Sequence, residues 1–204
     1  MSKIVAFISL TLDGVMQAPG RPDEDRRGKF EHGGWATPYA DETSAKLAGE
    51  GMQNTGAMLL GRRTYEDLLP HWNKTGGPFK DMLNNVPKHV ASRSLEEPLP
   101  WPNSSLLDGD VTKAVRALRK KDGKDIVILG SGKLVRSLLA DHLVDEFILL
   151  IHPLVLGSGQ RLFDKGGPGE TFELVDTRMT PTGVIAVTYR RTDHGPKAQS
   201  EPTS

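Results

Sequence analysis

The chain has 204 residues, no cysteine, and 26 Lys plus Arg against 26 Asp plus Glu. That length describes one ordinary domain or two small ones, and zero formal charge removes the basic field on which non-specific nucleic-acid binding depends. Without cysteine there is no disulfide framework, thiolate nucleophile or zinc-thiolate site, and the cytoplasm is the expected compartment.

The first apolar run, Ile4 to Leu10, reads as a strand. It is too short for a membrane span and Asp13 ends it, so no membrane partner is expected. A long connection, 15–40, follows, rich in Gly, Pro and charge; a loop of that length in a compact domain is usually functional or disordered. Glu42 to Gln53 then places Ala45, Ala48 and Met52 on one helical face. Strand Ala57 to Leu60 runs into Gly61 and a helix, Arg62 to Leu69, expected to stop at Pro70. A second long connection, 70–87, separates it from strands Lys88 to Ser92 and Ser105 to Leu107. Asp110 caps a helix over Val111 to Lys121. Strand Ile126 to Leu129 meets Gly130-Ser131-Gly132 and a helix over Lys133 to Ala140, and strand Glu146 to His152 follows. The last two strands, Glu173 to Arg178 and Val184 to Arg190, flank a turn containing Pro181 and Gly183 and form an antiparallel hairpin. The result is an α/β domain over 1–191 with a mixed, mostly parallel sheet, followed by a polar tail, 192–204, expected to be disordered.

Two strand-glycine-helix junctions carry the chemistry. Gly61-Arg62-Arg63-Thr64 and Gly130-Ser131-Gly132-Lys133-Leu134 each bring a tight turn, helix amides and cations to one place, which suits phosphate. Each is equally readable as a plain turn beside solvated cations. The second is not a Walker loop, because Val127 replaces its first glycine and Leu134 its magnesium-binding hydroxyl residue. Val135 likewise replaces the third glycine of the dinucleotide fingerprint. Ser92-Arg93-Ser94, at a strand end, adds hydroxyls beside a guanidinium. The six histidines show no metal-ligand spacing, so no metal is expected, and neither Ser131 nor Ser158 lies in a Gly-x-Ser-x-Gly elbow.

These junctions, with Ser9-Leu10-Thr11-Leu12-Asp13-Gly14, His152-Pro153-Leu154-Val155-Leu156-Gly157-Ser158-Gly159 and the closing hairpin, resemble the dihydrofolate-reductase superfamily in the same order over about 2–191. The riboflavin-type branch, the reductase domain of the bifunctional deaminase-reductase and its stand-alone relatives, is the more similar one. The resemblance implies a three-layer fold and NADPH lying across the carboxyl ends of the strands. It assigns Gly61, Arg62, Arg63 and Thr64 to the pyrophosphate and 2′-phosphate, and Ser92 and Arg93 to the adenosine phosphate. Gly130, Ser131, Gly132, Lys133 and Leu134 would hold the far flank of the pyrophosphate, with Ser9 and Met16 at the nicotinamide. Asp13 and Asp41 are the candidate catalytic carboxylates; Trp35, Glu42 and Trp72 are candidate contacts to a small heterocyclic or imine-bearing substrate. Asp41 reads equally as a helix cap, Asp13 as a turn residue and Trp35 as a loop anchor. A non-catalytic nucleotide binder is the alternative function. Relatives are implied to pair through 146–159, giving a homodimer.

Overall fold

A computed structural model describes residues 1–107, 109–121, 123–163, 165–167 and 169–192. Eight strands form one sheet: β1 (Ile4–Thr11), β2 (Thr55–Gly61), β3 (Lys88–Ala91), β4 (Ser104–Leu106), β5 (Asp125–Leu129), β6 (Glu146–His152), β7 (Phe172–Met179) and β8 (Ile185–Arg191). Their order is β4-β3-β2-β5-β1-β6-β8-β7. The first six pair in parallel, and β8 returns antiparallel between β6 and β7. The mixed sheet with a closing hairpin is therefore as expected. The expected tail lies outside the described residues from 193 onward, while the Thr192 amide donates to the Thr171 carbonyl at 2.9 Å.

Among the described residues five α-helices flank the sheet: α1 (Glu42–Gly51), α2 (Arg62–Thr75), α3 (Pro78–Asn85), α4 (Val111–Arg119) and α5 (Gly132–Ala140). None is long and apolar enough to cross a membrane. Right-handed crossovers put α1 to α3 on one face and α4 and α5 on the other. Alternation along the strands builds the core to match. Ile4, Ala6, Ile8 and Leu10 of β1 join Val115, Leu134, Val135 and Leu138 under α4 and α5. Met58, Leu60 and Val90 meet Tyr65, Leu69 and Leu83 under α2 and α3.

Two readings of the sequence need correction. Helix α2 does not stop at Pro70 but runs through it to Thr75, and 78–85 is helical rather than loop. An interior proline costs about 3 kcal/mol. Here the extra turn carries Trp72 against Phe79 of α3 at 4.7 Å, so buried aromatic surface offsets the missing amide bond. Strand β6 lies inside the sheet, between β1 and β8.

Lys88 is a buried cation that sequence alone does not flag. Its side chain is 0% exposed, and its ammonium donates to the carbonyls of Leu83 at 2.6 Å and Val86 at 2.9 Å, closing the C-terminus of α3. Burial lowers its pKa from 10.5 to about 8. Between those values the unfolded chain holds a proton that the folded chain has released, so stability rises with pH across that window. Lys88→Met leaves both carbonyls unpaired. Urea unfolding is expected to show a loss of about 1–3 kcal/mol at neutral pH and no rise between pH 8 and 10.5.

Candidate active site

The carboxyl ends of β3, β2, β5 and β1 lie side by side, spanning roughly 14 Å at about 4.8 Å per strand. Gly61 ends β2 and Gly130 follows β5; because Leu59 aligns with Ile128, the two turns are neighbours. One side chain joins them. Ser131, in the left-handed region at φ 58°, accepts the Gly61 amide at 2.9 Å and meets the Thr64 hydroxyl at 2.8 Å. Gly61 has to be glycine here, since a Cβ would lie 2.3 Å from Ser131 Oγ. Met16 arrives from the other side, its sulfur 2.5 Å from where a Cβ of Gly132 would stand. Ser9 shares its face of β1 with Phe7, toward α1, and Leu134 is buried under α5.

The helix caps differ in a way that bears on function. Asp41 and Asp110 accept amides at the starts of α1 and α4, whereas α2 and α5, the helices at the glycine corners, have no side-chain cap. Helix α3, opened by Gly77 and Pro78, also lacks one. The first-turn amides of α2 and α5 thus present their partial positive charge at one shared edge, as an anion site requires. Arg63, Arg93 and Lys133 are exposed and make no salt bridge among the described residues. Arg62 pairs with Glu66 at 3.5 Å. Ser92 uses its hydroxyl to accept the amides of Ser94 and Leu95, which shapes the turn carrying Arg93.

The expected catalytic carboxylates are placed otherwise. Asp13 accepts the Thr11 hydroxyl at 2.6 Å, the amides of Leu156 and Gly157, and the Arg161 guanidinium at 3.2 Å. The Thr11 hydrogen bond is the main reason its pKa falls to about 2. Asp41 forms a capping box with Ser44 and accepts the Thr182 hydroxyl at 2.9 Å; the Ser44 amide is the first cause of its lowered pKa. Both are ionised at neutral pH, so neither holds a proton to donate. Glu42 is exposed in the first turn of α1. Trp35 is 6% exposed and donates to the Gln17 carbonyl at 2.7 Å, which makes it a loop anchor with no free stacking face. Trp72 packs in the α2–α3 cluster.

Sequence reasoning missed what holds 15–40 in place. Arg21 pairs with Asp67 of α2, while Trp35 and Tyr39 pack edge-on to His152 at the end of β6, with ring centroids 5.1 and 5.7 Å apart. With Met16 at the start of α5, the segment arches from β6 to α2 over the ends of β1 and β5. No local pattern announces these contacts, because their partners lie 46 and more than 100 residues away.

The model of the RibD C-terminal domain family matches residues 2–186. The chain belongs to the RibD C-terminal domain family. Among curated proteins it is 26% identical over 193 residues to the uncharacterised protein YyaP of Bacillus subtilis (strain 168), covering 92% of this chain and 94% of that one. Among solved structures, a candidate riboflavin biosynthesis protein from Shewanella sp. PV-4 superposes with a TM-score of 0.72 at 21% identity, covering 93% of this chain and 99% of that one. Dihydrofolate reductase from Enterococcus faecalis, complexed with NADP(H), superposes with a TM-score of 0.59 at 16% identity, covering 94% and 97%. At those identities the structural likeness speaks for the fold alone, which is dihydrofolate-reductase-like. Within the RibD C-terminal domain frame, the glycine corners occupy the carboxyl edge of the parallel strands, where open α/β sheets address ligands.

Proposed function

We propose that this chain is an NADPH-dependent reductase that delivers a hydride to a small heterocyclic or imine-bearing compound of pyrimidine or pterin type. The observation that carries the reading is the pair of uncapped helix starts, joined by Ser131 and flanked by Arg63, Arg93 and Lys133. The residues present fit a phosphorylated dinucleotide: no side chain caps the first turn of α2 or of α5, and in α5 the Gly132 and Lys133 amides precede the Leu134 amide, which donates to the Ser131 carbonyl at 2.8 Å. Gly61 to Thr64 and Gly130 to Leu134 would hold the pyrophosphate, Arg63 and Arg93 the 2′-phosphate, and Ser9 and Met16 the nicotinamide end.

When bound, the cofactor supplies the hydride. The protein's part is to orient it and to exclude water with the segment 15–40. The proton that balances hydride addition comes from solvent, since Asp13 and Asp41 are both ionised. That same ionised state favours a second reading, a nucleotide-binding protein without turnover. Stopped-flow absorbance at the reduced-nicotinamide band, over a panel of pterins, pyrimidines and quinones, separates the two. Oxidation of bound NADPH by any of them is the expected result; binding without oxidation supports the second reading. A homodimer is part of the proposal, and light scattering at the mass of one chain would contradict it.

A further inference from the structure

Strand β7 ends the sheet, and its residues 173–179 are all exposed. Among the described residues no strand pairs with its outer edge, so a row of backbone amides and carbonyls there is open to another strand. Exposed apolar side chains gather at the same place: Leu174, Val175 and Met179 on β7, and Ile185 opposite Met179 on β8. A bulge between Leu174 and Asp176 interrupts the first half of the strand and leaves 176–179 as regular edge. Along it Asp176 and Arg178, aligned with Thr188 and Ala186, share the face on which Arg178 meets Glu50 of α1, and Thr177 takes the other face.

We propose that β7 is the seam of a homodimer, in which 175–179 pairs antiparallel with the same run of a second copy about a two-fold axis at Thr177. A two-fold axis normal to a sheet keeps every side chain on its own face, so a strand can pair with itself about a residue but not between two residues. An axis at Asp176 would set the two Asp176 carboxylates against each other, and an axis at Arg178 the two guanidiniums. Like charges directly opposite destabilise a sheet. An axis at Thr177 instead sets Asp176 opposite Arg178 of the second copy, twice, brings the two threonine hydroxyls together, and sets exposed Val175 opposite exposed Met179. Arg178 has room for this second partner: with its own Asp176 at 2.9 Å and Glu50 at 2.6 Å its side chain is still 51% exposed, and that of Asp176 49%. Lys46 lies 4.0 Å from Glu50, so these four charges sum to zero in each chain. The inference names the surface of the homodimer proposed above and rests on that part of the reading; it asks nothing of the cofactor site, whose corners lie at β2 and β5.

The test is light scattering of charge-reversed chains, with circular dichroism as the check on folding. Asp176→Arg alone and Arg178→Asp alone each set like charges across the seam, and each is expected to fall from the mass of two chains to that of one. Mixed in equal amounts, the two variants are expected to regain the mass of two chains, because every pair across the seam again joins an acid to a base. If either does not fold, Thr177→Cys in this cysteine-free chain is the second test. A short bismaleimide is expected to join two copies through position 177, and not through Glu173→Cys, which the register holds about 25 Å from its mate. Wild type at the mass of one chain would overturn the homodimer and the seam together. A wild-type dimer whose single reversals stay dimeric, a mixture that stays monomeric, or no cross-link at 177 would overturn the seam alone. NADPH affinity is a separate readout, so failure of the cofactor reading leaves this result standing.

Discussion

Gly61→Ala is expected to abolish measurable NADPH binding and to destabilise the fold. The new methyl would lie 2.3 Å from Ser131 Oγ, the atom that holds the Gly61 amide and the Thr64 hydroxyl. Swinging Ser131 Oγ away gives up both of those bonds and leaves its Cβ only 3.0 Å from the new methyl. Losing the amide bond costs about 1 kcal/mol and overpacking a further 1–3 kcal/mol, so urea unfolding should show a loss of about 2–4 kcal/mol. The two corners would also part, and the amides of α2 and α5 would no longer face one anion. Ser131→Ala on the native Gly61 background is the milder control: it removes the joining bonds without adding bulk, and a partial loss of affinity is expected.

The second large effect concerns the choice of nucleotide. Charge-assisted contacts from Arg63 and Arg93 to a 2′-phosphate are worth about 1.5–3 kcal/mol each. Both side chains are exposed, and solvent screening places them at the lower end of that range. About 3 kcal/mol in total corresponds to roughly a hundredfold preference for NADPH over NADH. Arg63→Gln with Arg93→Gln should bring the two dissociation constants within a few-fold of each other. NADH affinity itself should hardly change, because the pyrophosphate corners remain. Fluorescence titration of both nucleotides against both proteins reads this directly, and an unchanged ratio would remove these arginines from the site. Screening also predicts that the wild-type preference shrinks as salt is added.

The fold was legible because its signals are local. Apolar runs of four residues, Ala57 to Leu60 and Ile126 to Leu129, each ending at a glycine and followed by helical spacing, set out β2–α2 and β5–α5 and with them the positions of both corners. The shared edge between those corners follows from strand order, which the resemblance supplied and the pairing of Leu59 with Ile128 realises. Pro70 misled because a helix-breaking residue is a local signal, whereas the packing of Trp72 on Phe79 that overrides it is not. The carboxylates stay open between two roles in the sequence for the same lack of local signal. An aspartate after a strand or before a helix looks the same whether it donates protons or accepts amides. What decides is Leu156 and Gly157 for Asp13, and Thr182 for Asp41, all more than 140 residues away in sequence. Trp35 reads from the sequence as a substrate contact or a loop anchor alike, and the contact that favours the anchor, with His152, lies 117 positions later.

The role of the joined corners is tested most directly by calorimetry of the purified chain with NADPH at pH 7.5, run beside Gly61→Ala and NADH. One NADPH per chain, bound about a hundredfold more tightly than NADH by the wild type and not at all by Gly61→Ala, is the predicted result. No heat from either nucleotide, or equal binding by the wild type and Gly61→Ala, would contradict it.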